Sequence, residues 1–362
     1  MMSRSTRAAT LIGALALVST LAACAGGSTP SGSDSADGPG TDPVTLTFVA
    51  YGGVGQDAMI AAYQTPYTAE HPNVTFVNTS PPDVAQVKAQ VDSGAVQWDV
   101  VAVAPAAAEQ NCDTLFQPLD FSGVDTKDLV EGTIGECYIG NFINATPFAY
   151  RTDAFPDPST APKTIEDFFD VQRFPGQRGI LTNLQNGILE YPLLADGVAP
   201  EDLYPLDVDR ALAKLDTIRD VTTFAPNVGA LQQAVGSNQV DMFLLADSRL
   251  VPLMDEGMDI TVVWDVTVTS INAFAVPKGS GNVAAAQDFL ATVVQPGPVS
   301  DITEALGVSP VNLAAPLDLS ENAQKLQAFG PVNTGETVVQ DVGWYADNFN
   351  EVTEKLTNWL NG

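Results

Sequence analysis

From residue 44 onward, short apolar runs alternate with stretches of helical spacing. The run VTLTFVA (44–50) is rich in β-branched residues and is broken by YGGVG (51–55), after which helical character extends to about residue 70. NVTFVNT (73–79) predicts a second strand, PDVAQVKAQVDSG (82–94) sets Val84, Val87 and Val91 at helical spacing, and WDVVAVA (98–104) predicts a third strand. Strands separated by helices imply parallel pairing through right-handed crossovers. The second half repeats the alternation. TIEDFFD (164–170) opens with a capping box of Thr164 and Asp167, and DVDRALAKLDTIRD (207–220) puts Val208, Ala211, Leu212, Leu215 and Ile218 on one helix face. VDMFLLA (240–246), DITVVW (259–264) and INAFAVP (271–277) predict buried strands, and a last helix over about 341–360 carries Trp344 and Trp359.

The first 43 residues follow another pattern. Arg4 and Arg7 precede an apolar run over residues 8–23, the layout of a secretory signal, and the run is shorter than the roughly 20 residues a membrane span needs. Residues 1–23 are thus expected to be a signal peptide and the chain to be exported. Leu21-Ala22-Ala23-Cys24 resembles the lipobox of bacterial lipoproteins, which implies that the Cys24 thiol is lipidated and anchors the chain on the outer face of the cell membrane. The alternative is a cleaved soluble protein in which Cys24 has no role. Residues 24–43, rich in Gly, Ser, Asp and Pro, predict a flexible tether with a root-mean-square reach of roughly 25 Å.

About 320 residues follow the tether, more than one core usually serves, so two lobes are expected. With 44 acidic and 15 basic residues the net charge is −29, which disfavours nucleic acid as a partner and suits a soluble exported protein. Cys112 and Cys137 remain as an even pair in an oxidising compartment, and a disulfide between them would add roughly 3–4 kcal/mol; two buried thiols are the alternative. Catalytic signatures are missing: there is no GxSxG, HExxH, Walker loop or Cys/His cluster, and His71 precedes a proline in a turn. The chain reads as a non-enzyme with no cofactor and no metal.

Several segments together resemble the extracellular solute-binding proteins of bacterial ABC importers, in particular the spermidine and putrescine type: AYGGVGQDAM (50–59), EHPNVTF (70–76), WDVV (98–101), FPGQRGIL (174–181), LEYPLLADGVAPEDLYPLDVDRALAKLD (189–216), AVPKGSGN (275–282) and GPVN (330–333). The resemblance implies an α/β fold, a two-lobed clamshell of the periplasmic-binding-protein type (type II), with mixed, mainly parallel sheets flanked by helices. Lobe 1 would take residues 44–148 and 270–317, and lobe 2 residues 149–269 and 318–362, with hinge segments near 146–151 and 268–273. It further implies a monomer that captures a small polar solute and delivers it to permease subunits in the membrane; a sensing or scaffolding lipoprotein of the same fold is the alternative.

Candidate ligand contacts follow from the strand ends, where open α/β sheets bind ligands. Tyr51 ends the first strand, Gly52 and Gly53 allow close backbone approach, and Asp57 lies just beyond. Trp98 and Pro105 bracket the third strand, and Asp247 and Trp264 could contribute to a cation site. Polyamine binders hold each ammonium with carboxylates between aromatic rings, and this chain departs from that pattern. Asn272 stands where those relatives place an aspartate, Ala246 stands at an aromatic position with Arg249 nearby, and Asn183, Gln185 and Asn186 offer amides in place of carboxylates. Neutral amides do not balance an ammonium. A polyamine or related amine and a carboxylate-bearing or neutral polar metabolite both remain open.

Overall fold

The computed structural model describes residues 42–362. Cys24, the signal and nearly all of the tether lie outside the described residues. Among the described residues no helix is long and apolar enough to cross a membrane.

Nine strands form one sheet: β1 (Val44–Val49), β2 (Val74–Thr79), β3 (Val100–Val103), β4 (Ile139–Arg151), β5 (Arg178–Leu181), β6 (Thr222–Ala225), β7 (Met242–Leu244), β8 (Ile260–Ala275) and β9 (Glu336–Val339). Their order is β2-β1-β3-β8-β4-β7-β5-β6, with β9 beside β8. The β-branched runs pair in parallel as the alternation predicts: β1 with β2 and β3, and β5 with β6 and β7. The expectation of parallel pairing fails at the centre, where β8 runs antiparallel to β3 and β4, and β4 antiparallel to β7. Residues 259–264 and 271–277, read from sequence as separate strands, belong largely to the single strand β8. The intervening DVTVTS carries polar residues that resemble a break, yet Thr267, Thr269 and Ser270 are buried and the β-branched backbone simply continues.

β4 and β8 run through both halves of the sheet. On one side, Phe48, Tyr63, Phe274 and Phe289 centre a core fed by β1, β3 and the chain-proximal part of β4. On the other, Phe148, Phe168, Tyr191, Leu215 and Leu356 centre a second core. Each such buried side chain is worth on the order of 2 kcal/mol. Between the cores the β4–β8 ladder is irregular: Thr146 pairs with Val268, but Phe148 pairs with Val263. Tyr191 fills this gap, its hydroxyl donating to the Thr146 carbonyl and accepting from Val268 N at 2.9 Å.

Local expectations hold in detail. Thr164 and Asp167 form the capping box, and Cys112 and Cys137 are bonded. His71 stacks on Tyr67 with ring centroids 4.3 Å apart. Trp344 and Trp359, on the helix Val342–Leu360, are partly buried against the second core. In the FPGQRG segment Arg178 is fully buried, its guanidinium donating to the carbonyls of Phe168, Phe174 and Gly176.

Candidate functional site

The carboxyl ends of β1, β3, β5 and β7 lead into loops that meet at the middle of β4 and β8. After β1 the chain turns through Gly52 (φ 76°) and Gly53 (φ 56°), conformations that side-chain-bearing residues adopt only with strain. Gln56 closes this turn, accepting from Gly52 N at 3.0 Å and donating to the Thr79 carbonyl at 3.2 Å. The turn presents Tyr51 and brings it to Asn272 on β8. Tyr51 is 54% exposed to water, yet its surroundings still push its phenol pKa up through desolvation, while the hydrogen bond from Asn272 pulls it back. Asn272 itself is buried, and its Oδ1 has no partner.

The end of β7 brings Asp247 to β4. Asp247 is fully buried; its Oδ2 accepts from Ala145 N at 3.0 Å and its Oδ1 from Ser248 N at 2.7 Å. Burial pushes its carboxyl pKa up to about 8, and those two backbone bonds only partly offset it. On the same helix (Asp247–Asp255) Arg249 is exposed and forms no ion pair among the described residues. Most other basic side chains are paired with carboxylates, for instance Arg151 with Asp153 and Arg210 with Asp196.

The end of β5 supplies the third wall. Asn183 precedes the short 3-10 turn Leu184–Asn186 without capping it, and its Oδ1 is buried without a partner. Asn186 donates from Nδ2 to Thr146 Oγ1 at 2.8 Å, tying the turn to β4. Leu184 and Gln185 line a small cavity of about 40 Å³ together with Pro105, Ser270, Gln340 and Tyr345. The pocket has room for a water or a small alkyl group.

Not every expected contact gathers there. Trp98 precedes β3 at its amino end and packs half-buried against the cluster that holds Val49, Val87 and Val101, at the opposite end of the strand from Pro105. Trp264 sits half-buried on β8 beyond the irregularity and does not line the cavity. Asp57 is exposed on the helix Gly53–Met59 with no partner that draws it inward. Sequence reasoning missed Ser270, Gln340 and Tyr345, which reach the cavity from the interior of a strand and from the C-terminal segment, far along the chain. The one available signal was Ser270 within a β-branched run.

Residues 58–331 match the model of the bacterial extracellular solute-binding protein family. The chain belongs to this family. It is 30% identical over 322 residues, 87% of this chain and 90% of the relative, to the gamma-aminobutyric acid (GABA)-binding protein of Pseudomonas aeruginosa. A solved GABA receptor shares 30% identity with a TM-score of 0.78, covering 88% of this chain and 97% of that one. The binding protein AgtB of A. tumefaciens, solved with agropinic acid, shares 29% identity with a TM-score of 0.71, covering 88% and 99%. As a solute-binding protein the chain is not an enzyme; it serves an ABC importer for a small solute outside the cytoplasm. The narrower polyamine type is not what these relatives are named for: their names specify GABA and agropinic acid.

Proposed function

We propose that the solute is a small amino-acid-like zwitterion, with GABA as the reference compound, held by its carboxylate at Arg249 and by its ammonium at Asp247. The observation that carries this reading is the first turn of one helix, where a buried carboxylate without a counter-ion and an exposed guanidinium without a carboxylate stand two residues apart. In a chain with 44 acidic and 15 basic residues, an arginine left unpaired at a strand end is notable. A bound ammonium would supply the charge that desolvated Asp247 lacks. Tyr51, Asn183, Gln185 and Asn272 would surround the solute with hydrogen-bonding groups, the two orphaned amide oxygens accepting from its N–H groups. The relatives named for GABA and for agropinic acid support the same class. Asn272 and Ala246, standing where polyamine binders use a carboxylate and an aromatic ring, leave a second ammonium without partners.

In this reading residues 44–148 with 270–317 close on residues 149–269 with 318–362, and β4 and β8 form the hinge. The separate cores on either side support it. Calorimetry on the exported chain tests the ligand. GABA should bind, spermidine and putrescine at least about 100-fold more weakly, and Arg249→Ala should weaken GABA at least about tenfold, the loss of one charge-assisted contact. Tight, salt-sensitive polyamine binding that disappears in Asp57→Asn or Asp247→Asn would overturn it. We also propose that Cys24 anchors the chain to the membrane; Cys24→Ser should release a folded protein, and unchanged membrane retention would refute the anchor.

A further inference from the structure

In ILEYPLLA, Glu190 is a single carboxylate inside an apolar run, and in the fold it is fully buried at the start of the helix Glu190–Ala195. Its Oε1 gathers three donors: Tyr204 OH at 2.8 Å, Gln340 Nε2 at 2.7 Å and Tyr345 OH at 2.7 Å. Oε2 has no partner. The three donors come from two distant parts of the chain, the loop at 204 and the C-terminal segment, where Gln340 follows β9 and Tyr345 lies in the first turn of the helix Val342–Leu360. Gln340 is the branch point. The same Nε2 that reaches Glu190 also donates to the Leu184 carbonyl at 2.7 Å, so both of its hydrogens are used. Leu184 begins the 3-10 turn that follows Asn183 and carries Gln185. Gln340 N meanwhile donates to the Thr269 carbonyl at 3.0 Å, extending the β9–β8 pairing. The helix that follows packs against Pro105–Gln110, which starts at the end of β3. One carboxylate oxygen therefore helps seat a C-terminal segment that meets the wall of the proposed cleft through the Gln340 side chain, the central strand through the Gln340 backbone, and the helix Pro105–Gln110 through the helix that follows.

We infer that Glu190 is a positioning residue for solute binding, which from behind the cleft wall clamps Gln340 and through it holds the Leu184–Asn186 turn in place. The inference rests on the cleft reading above for its functional consequence, though not for its structural one. Without the carboxylate, Tyr204, Tyr345 and one Gln340 hydrogen lose their shared acceptor inside an apolar core, where an unmet donor is costly. Gln340 is then free to leave Leu184, and Asn183 and Gln185 lose their fixed presentation.

Amide hydrogen exchange on the unliganded full chain tests the clamp independently of ligand identity, with GABA calorimetry as a second readout. Glu190→Ala should raise exchange across residues 184–187 at least about tenfold while leaving residues 44–49 unchanged; Glu190→Gln, which keeps an acceptor oxygen, should restore most of the protection. Gln340→Ala should reproduce the local change while leaving the carboxylate in place, and it decides the matter should Glu190→Ala not fold. Unchanged exchange at 184–187 in Gln340→Ala, or in a folded Glu190→Ala, overturns the inference. Faster exchange in a chain whose parent does not bind GABA upholds the clamp and refutes only the choice of ligand.

Discussion

Asp247 shows how much one residue's environment changes its chemistry. Read from sequence it is one acid among many, a possible contact for an amine. In the fold it is fully buried with two backbone donors and no cation, so the neutral form is favoured and its pKa stands near 8 against an ordinary 3.8. The unfolded chain gives up this proton near pH 4, whereas the folded chain keeps it until about pH 8. Its contribution to stability is therefore fully present below about pH 4, declines as pH rises toward 8 and levels off above that value. Asp247→Asn removes the decline. The variant's melting temperature should gain on the parent steadily from pH 5 to pH 8, whatever the offset at pH 5; a difference that stays constant across that range would show that Asp247 titrates normally. The backbone donor that partly offsets this effect, Ala145 N, is about a hundred positions away, and no local pattern announces the burial.

At the scale of elements, strands and helices with a clean period were legible, and the elements that organise the sheet were not. β1, β2 and β3 and the helix Val208–Asp216 stand where alternation and helical spacing put them. β4 and β8 were seen only in pieces, because strands buried on both faces need not alternate and Thr, Ser and Asn inside them read as interruptions. What makes those polar residues tolerable is pairing from elsewhere: Thr269 Oγ1 donates to the Val338 carbonyl at 3.0 Å, and Asn186 serves Thr146. Tyr191 is the most consequential such partner, since its hydroxyl stands in for ladder hydrogen bonds where β4 and β8 fall out of register. Tyr191→Phe should cost about 1–3 kcal/mol by leaving Val268 N and the Thr146 carbonyl unmet in the interior. A denaturant midpoint within error of the parent would mean that the two strands re-pair without it.

At the scale of the whole molecule, the family was legible because its segments are spread along the chain, and Asp247 and Arg249 were each legible as candidate contacts, though for different ligands and not as a pair. What composition could not show is which residues converge across the sheet, so Trp98 was grouped with residues from which the length of β3 separates it, and Gln340 was left out. The topology itself suggests how the site works. Two long strands are the central connection between two cores, and the segments after β1, β5 and β7 reach them through side chains, Tyr51 to Asn272, Asn186 to Thr146 and Asp247 to Ala145. A solute touching walls from both halves gains its full set of contacts only when they are together, so it binds the closed arrangement more tightly and shifts the population toward it. At a ligand concentration 100 times the dissociation constant such binding stabilises the fold by about 2.7 kcal/mol. GABA at that concentration should raise the melting temperature and reduce the radius of gyration in small-angle scattering, and Arg249→Ala, binding about tenfold more weakly, should keep no more than about half of the stabilisation at the same concentration. A higher melting temperature with no compaction would show that the solute binds one half alone, and hinge closure about β4 and β8 would then be the wrong mechanism for this importer component.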